Sequence, residues 1–274
     1  MKTILFIFAL TTCSLGYSQG LIDGYFKGKG KIDIAVSGFT QKANSYFAGE
    51  NEISLSNPIF TGDERKFNSF GVFAEYGISD KWDVIVNAPL VNGHLQDGSV
   101  ATKYQLLKTK LGGRDFSVIP ALQASFPLSD YETENLEAIG QKATIISPKV
   151  VLQHNLPGGL FIQAQGGYNY ALSPVTSSVG LSAKVGGSFG KLYVDAWYDF
   201  QHGFGEKDFL STNPPFKSFR ELVVSYQRVG GVVYYGITDK FGLFVNASYI
   251  FDGRNSYKMP GFGGGLVLKL KVNE

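Results

Sequence analysis

The strongest constraint on the fold is a hairpin that the chain writes twice. Phe70–Leu90 reads FGVFAEYGISDKWDVIVNAPL, and Val233–Tyr249 reads VYYGITDKFGLFVNASY. In the first copy Phe70, Val72, Ala74 and Tyr76 alternate with Gly71, Phe73 and Glu75. After the polar turn Gly77–Lys81, Trp82, Val84, Val86, Ala88 and Leu90 alternate with Asp83, Ile85 and Asn87. Strand side chains point to opposite faces with period two, so each copy has one apolar and one mixed face. A sheet built by repetition of this unit follows, and the open question is which solvent meets its apolar face.

The connections answer it. Strict alternation over Phe26–Gly38 predicts a first strand, with Lys27, Lys29, Lys31 and Asp33 on one face and Ile32, Ile34 and Val36 on the other. Further strands are predicted at Thr102–Leu111, up to Phe126, at Ala143–Asn155, Leu160–Tyr170, Ser178–Phe189 and Leu192–Phe200, in Phe219–Phe251 with a bulge at Gly230-Gly231, and at Gly263–Val272. Short turns (77–81, 111–114, 156–159, 190–191, 236–240) alternate with longer loops (39–66, 92–101, 127–142, 171–177, 201–218, 252–259). This is the pattern of an all-β, transmembrane, antiparallel up-and-down β-barrel of about 12 strands, whose short turns face the periplasm. Lipid offers no partner for free backbone groups, so such a sheet must close. Aromatic residues at strand ends (Tyr76, Trp82, Phe189 and Tyr235 at one side; Phe126, Tyr168, Tyr170, Tyr198 and Tyr249 at the other) read as two interfacial girdles. A secreted β-sandwich or lipocalin-like barrel is the competing reading. The 34 glycines and a charged fraction of only 18% fit it less well.

The N-terminus fits export. Met1-Lys2, the apolar Ile4–Leu10 and small residues before Gln19 have the form of a secretory signal peptide. The chain is accordingly divided into a leader, residues 1–18, and a barrel, residues 19–274. The one cysteine, Cys13, falls in the leader, so the mature chain has no thiol chemistry. A formal charge of +2 gives no reason to expect nucleic acid.

The turn Tyr76-Gly77-Ile78-Ser79-Asp80-Lys81-Trp82-Asp83 followed by Val86-Asn87-Ala88-Pro89-Leu90 resembles a family of Gram-negative outer-membrane barrels labelled for the MetA pathway of phenol degradation, or transporter-like barrels. Gly112-Gly113-Arg114-Asp115 and Phe126-Pro127 fit later positions loosely. The resemblance covers Phe67 to the C-terminus and implies an outer-membrane barrel related to channels for hydrophobic compounds. The chain departs from many barrels in ending Lys271-Val272-Asn273-Glu274, without a terminal aromatic residue.

Candidates for the lumen follow from parity: Lys27, Lys29, Lys31, Glu75, Asp83, Gln163, Lys184, Asp195, Trp197, Lys269 and Lys271. Closure would pair the first strand with the last and crowd Lys27, Lys29, Lys31, Lys269 and Lys271 into the periplasmic half, which then needs carboxylates such as Glu75 opposite. Three histidines and no mature cysteine give no metal site, and no cofactor is expected. His154 has the outward parity of a lipid-facing catalytic histidine, but no serine accompanies it in a recognisable motif, so an outer-membrane lipid enzyme is disfavoured. Two functions remain open. One is a channel or transporter for small hydrophobic or aromatic compounds; the other is a non-conducting structural or binding barrel that works through its extracellular loops. The expected partners are outer-membrane lipid and a small solute, with no nucleic acid.

Overall fold

The computed structural model describes residues 22–60, 62–134, 138–211 and 213–272. The leader and Cys13 lie outside them. The strands are β1 (Lys31–Ala43), β2 (Ser45–Ala48), β3 (Asn51–Ser54), β4 (Arg65–Ser79), β5 (Trp82–Val91), β6 (His94–Leu95), β7 (Asp97–Tyr104), β8 (Leu107–Leu111), β9 (Arg114–Pro127), β10 (Ile145–Asn155), β11 (Leu160–Ala171), β12 (Ser178–Phe189), β13 (Leu192–Gly203), β14 (Ser225–Gly236), β15 (Phe241–Arg254) and β16 (Ser256–Lys271). Leaving aside β2, β3, β6 and β8, 12 strands follow one another as antiparallel neighbours, and β1 closes on β16. The seam runs from Lys31 opposite Lys271 to Gln41 opposite Gly261.

Period two is visible all round the wall. In β10, Ile146, Val150 and Leu152 are exposed while Ser147, Val151 and Gln153 are buried. Across the outer face Val86, Val100, Leu122, Ile162, Leu181, Val233 and Leu268 stand exposed. Trp82, Phe189 and Tyr235 flank this band at the short-turn end and Phe126, Tyr170 and Tyr249 at the other, all exposed. No solvent but lipid favours such a surface over a whole closed wall.

The structure redraws several predicted boundaries. The first strand begins at Lys31 rather than Phe26, because Gly28 and Gly30 take positive φ (83° and 72°) and turn the chain. Residues before that turn run inside the barrel. They cross so close to the first hairpin that a Cβ on Gly77 would collide with the Gly28 carbonyl oxygen. The predicted loop 92–101 ends early, as β7 starts at Asp97. The predicted strand Thr102–Leu111 is the end of β7 and all of β8, interrupted at Gln105-Leu106, both segments pairing with β9. The predicted loop 252–259 is a tight reversal at Asn255 (φ 48°), because β15 and β16 continue beyond the wall and β16 pairs with β2. The bulge lies at Gln227/Arg228, not Gly230-Gly231.

The long loops fold over the extracellular mouth. Tyr46, Leu55, Phe60, Tyr131 and Ile139 from two of them bury against Phe67, Val91, Ile250 and Met259 of the wall. The Asn255 side chain ties three segments, accepting from the Gly49 and Phe209 N–H groups (3.0 and 2.9 Å) and donating to the Val223 carbonyl (2.8 Å). Between loops 128–144 and 204–224, Arg220 donates to the carbonyls of Gln141 (2.8 Å) and Lys142 (3.0 Å). Glu134 accepts from the Ser218 hydroxyl (2.6 Å) and the Phe219 N–H (3.0 Å).

Candidate functional site

A barrel of this strand count encloses more space than the wall side chains fill, and the chain fills part of it with its own N-terminal segment. Ile22, 1% exposed, packs with Ile85, Ala101, Ile119 and Val151 on the inner wall. The rest of the segment is held by charge. Lys103 of β7 has a fully buried side chain that contacts Asp23 (2.8 Å), Glu75 (2.7 Å) and Asp83 (3.8 Å), and it also donates to the Asp23 and Tyr25 carbonyls. Its ammonium lies 5.1 Å from the Phe26 ring centroid, within cation–π range. Lys27 reaches Glu75 and Asp33, each at 3.0 Å, and its N–H donates to Asp83 (3.0 Å). Tyr25 meets the inward Phe161 edge-on at 5.4 Å, and Phe161 stacks on Tyr193. Ionised groups this deep are tolerable only in such a mutually paired set.

Of the sequence candidates, this network gathers Lys27, Glu75 and Asp83. Lys29 lies at its edge, where its N–H donates to Asp80 (3.2 Å). Lys184 and Asp195 stand 3.6 Å apart, with the Tyr193 hydroxyl also on Asp195 (2.7 Å). Trp197, 4% exposed, carries the Arg228 guanidinium 5.5 Å from its ring centroid. Gln163 is buried opposite Gln153 and Lys184 in register. Lys269 opposes Asp33 and lies 4.8 Å from the Tyr234 ring centroid. Lys31 and Lys271 face each other at the exposed periplasmic rim and do not enter the network. A strand read from Thr102 is too short before Gln105 to show which face is inward; β7, which begins at Asp97, places Ser99, Ala101 and Lys103 inward together. Asp23 and Ile22 precede any periodic segment, so nothing in the sequence marks them.

Between this segment and the extracellular cap lie two cavities. The outer one, about 420 Å³, is bounded mainly by Tyr46, Phe67, Ile139, Leu222, Tyr257 and Met259. The inner one, about 280 Å³, is polar, with Asn87, Ser99, Gln123, Lys149 and Gln165 in its wall. Gln96, Tyr226 and Arg228 border both. On its far wall Arg228 pairs with Asp199 (2.9 Å), which also accepts from Ser182 (2.6 Å). Among the described residues no cluster of His, Cys, Asp and Glu is placed to hold a metal ion.

A closed 12-stranded antiparallel wall, apolar without and ionic within, is the architecture of an outer-membrane β-barrel. The fold is similar to that of an outer-membrane channel from Pseudomonas putida F1, with TM-score 0.64 and 10% identity over 91% of this chain and 100% of that one. It is also similar to the NanC porin (0.56; 12%; 87% and 100%) and to the KdgM porin solved with disordered oligogalacturonate (0.51; 10%; 86% and 98%). Identities this low carry the fold and nothing finer. No family model matches the sequence and no curated protein matches it, so the likeness to the MetA-pathway barrels rests on the sequence motifs, the hairpin first among them.

Proposed function

We propose that the protein is an outer-membrane channel for small solutes, closed in this state by residues 22–29 of its own chain. The observation that carries this reading is the pair of cavities in series beneath the cap, sharing Gln96, Tyr226 and Arg228. The outer cavity suits a small hydrophobic or aromatic compound, the solute class that the hairpin resemblance also implies. The similarity to channel and porin folds supports conduction over enzymatic chemistry. His154 Nδ1 lies 3.2 Å from the Asp115 carbonyl, and no serine hydroxyl is among its described partners. Export to the outer membrane we assign to residues 1–18 as a cleaved leader, which leaves residues 19–274 as the barrel.

The buried Lys103 network and the knitted loops favour a second reading, a barrel that conducts nothing and works through its loop surface. Planar-bilayer recording separates the two. A channel gives sparse, brief openings for the full chain and sustained conductance for a variant lacking residues 22–29. Silence from both, in protein that shows heat-modifiable migration, would leave the non-conducting barrel.

A further inference from the structure

The inner cavity has a chemistry of its own, which a passage for hydrophobic molecules does not require. Asn87 and Ser99 are 8% and 6% exposed, and Asn87 Oδ1, Ser99 Oγ and Gln165 Oε1 have no hydrogen-bond partner among the described residues. Buried oxygens left without a donor are costly, so water or a ligand carrying O–H or N–H groups belongs in the cavity. Facing the same space is a lysine that forms no direct ion pair among the described residues. Lys149 Nζ donates to the neutral Gln123 side chain (2.7 Å).

The nearby carboxylates are already engaged. Asp199 is taken by Arg228 and Ser182, and Asp97 by the Tyr131 hydroxyl (2.6 Å) and the Ala143 N–H (3.1 Å). The wall is also shaped around the lysine. Gly167 sits opposite Lys149 in register, and a Cβ there would lie 2.6 Å from Lys149 Cγ.

The geometry points to a binding site for a small hydroxylated carboxylate, with the carboxylate on Lys149 and the hydroxyls on Asn87, Ser99 and Gln165. Hydroxyl groups both donate and accept, so they satisfy the two amides in either orientation. A carboxylate on an ammonium is the stronger, charge-assisted contact. This inference rests on the channel reading but departs from its hydrophobic solute: a molecule that passes the outer cavity meets an anion- and hydroxyl-selective step next.

The test uses the purified full chain carrying Trp82→Phe, which leaves Trp197 as its single tryptophan, in contact with Arg228 at the cavity wall. Its fluorescence is titrated with gluconate, with glucose (hydroxyls without the charge) and with butyrate (the charge without hydroxyls). Saturable gluconate binding is expected, about tenfold tighter than either control. Lys149→Gln is expected to weaken gluconate about tenfold and leave glucose unchanged, and Gln165→Leu to weaken gluconate and glucose alike. Gluconate binding no tighter than butyrate, or unaltered by Lys149→Gln in a variant with normal heat-modifiable migration, overturns the proposal. So does a lack of gluconate response in both the full chain and a variant lacking residues 22–29. Proteoliposome flux keeps the two failures apart. Flux of uncharged solutes without gluconate binding removes only the site, whereas absence of all flux removes the channel.

Discussion

Replacing Lys103 with Met should release the N-terminal segment from the lumen. The ammonium is the shared cation of Asp23, Glu75 and Asp83, and the last two carboxylates are 4% and 0% exposed. Removing one partner from a buried ionic set costs about 3–5 kcal/mol; here Asp23 and Asp83 lose the cation they pair with among the described residues, while Glu75 keeps Lys27. Asp23 is 35% exposed and partly hydrated, so the lower end, about 3 kcal/mol, is the appropriate figure here. Water can reach the stranded carboxylates if residues 22–29 leave, so the cost falls on the closed state and raises the open fraction roughly a hundredfold. The assay is maleimide labelling of an Ile22→Cys reporter in reconstituted protein, whose rate follows the open population when closing is fast. Lys103→Arg keeps the charge and should stay within about tenfold of the parent. If Lys103→Met labels at the parent rate while the barrel still shows heat-modifiable migration, the ionic set does not hold the segment, and the argument fails.

The remaining predictions concern the wall, the seam and the cap. Leu181 is 53% exposed on the outer face and its neighbour Ser182 borders the inner cavity. Leu181→Arg should therefore impair insertion by about 2–4 kcal/mol and Ser182→Arg far less, read as the folded fraction after refolding into vesicles; equal losses would mean the facing is wrong. Cysteines replacing the opposed Lys31 and Lys271 should form an intrachain disulfide on mild oxidation, seen as a non-reducing gel shift, and a chain that never crosslinks has a different seam. Glu134 in the cap is held below the usual carboxylate range by its bonds from Ser218 and the Phe219 N–H. A depressed folded-state pKa contributes stability that is full above the unfolded value, about 4.3, and is lost as pH falls through the folded one. Hydrogen exchange at residues 217–221 should therefore quicken, relative to intrinsic rates, between pH 6 and pH 3, and protection that does not change would dismiss the latch.

Much of the barrel could be read directly. Alternation at Val84–Leu90 or Leu266–Leu270 needs only the pleat of a strand, and the rhythm of short turns and long loops needs only the chain order. Those local and periodic signals set the fold class, the facing of the wall, the girdles and the pairing of first strand with last. They failed where a residue's place depends on groups far away in sequence. Phe26 to Lys29 continues the alternation of β1, yet Gly28 and Gly30 turn it inward, where Glu75 and Lys103 wait from strands about 50 and 80 residues on. By parity Lys149, on β10, is simply one more inward-facing lysine. Only the closed barrel shows Asp199 and Asp97 occupied by other partners, and so leaves that ammonium with a neutral amide. Parity says which side of the wall a side chain takes; which charge it meets there is decided by strand register and by the segment folded into the lumen, because those partners are neighbours across strands and not along the chain.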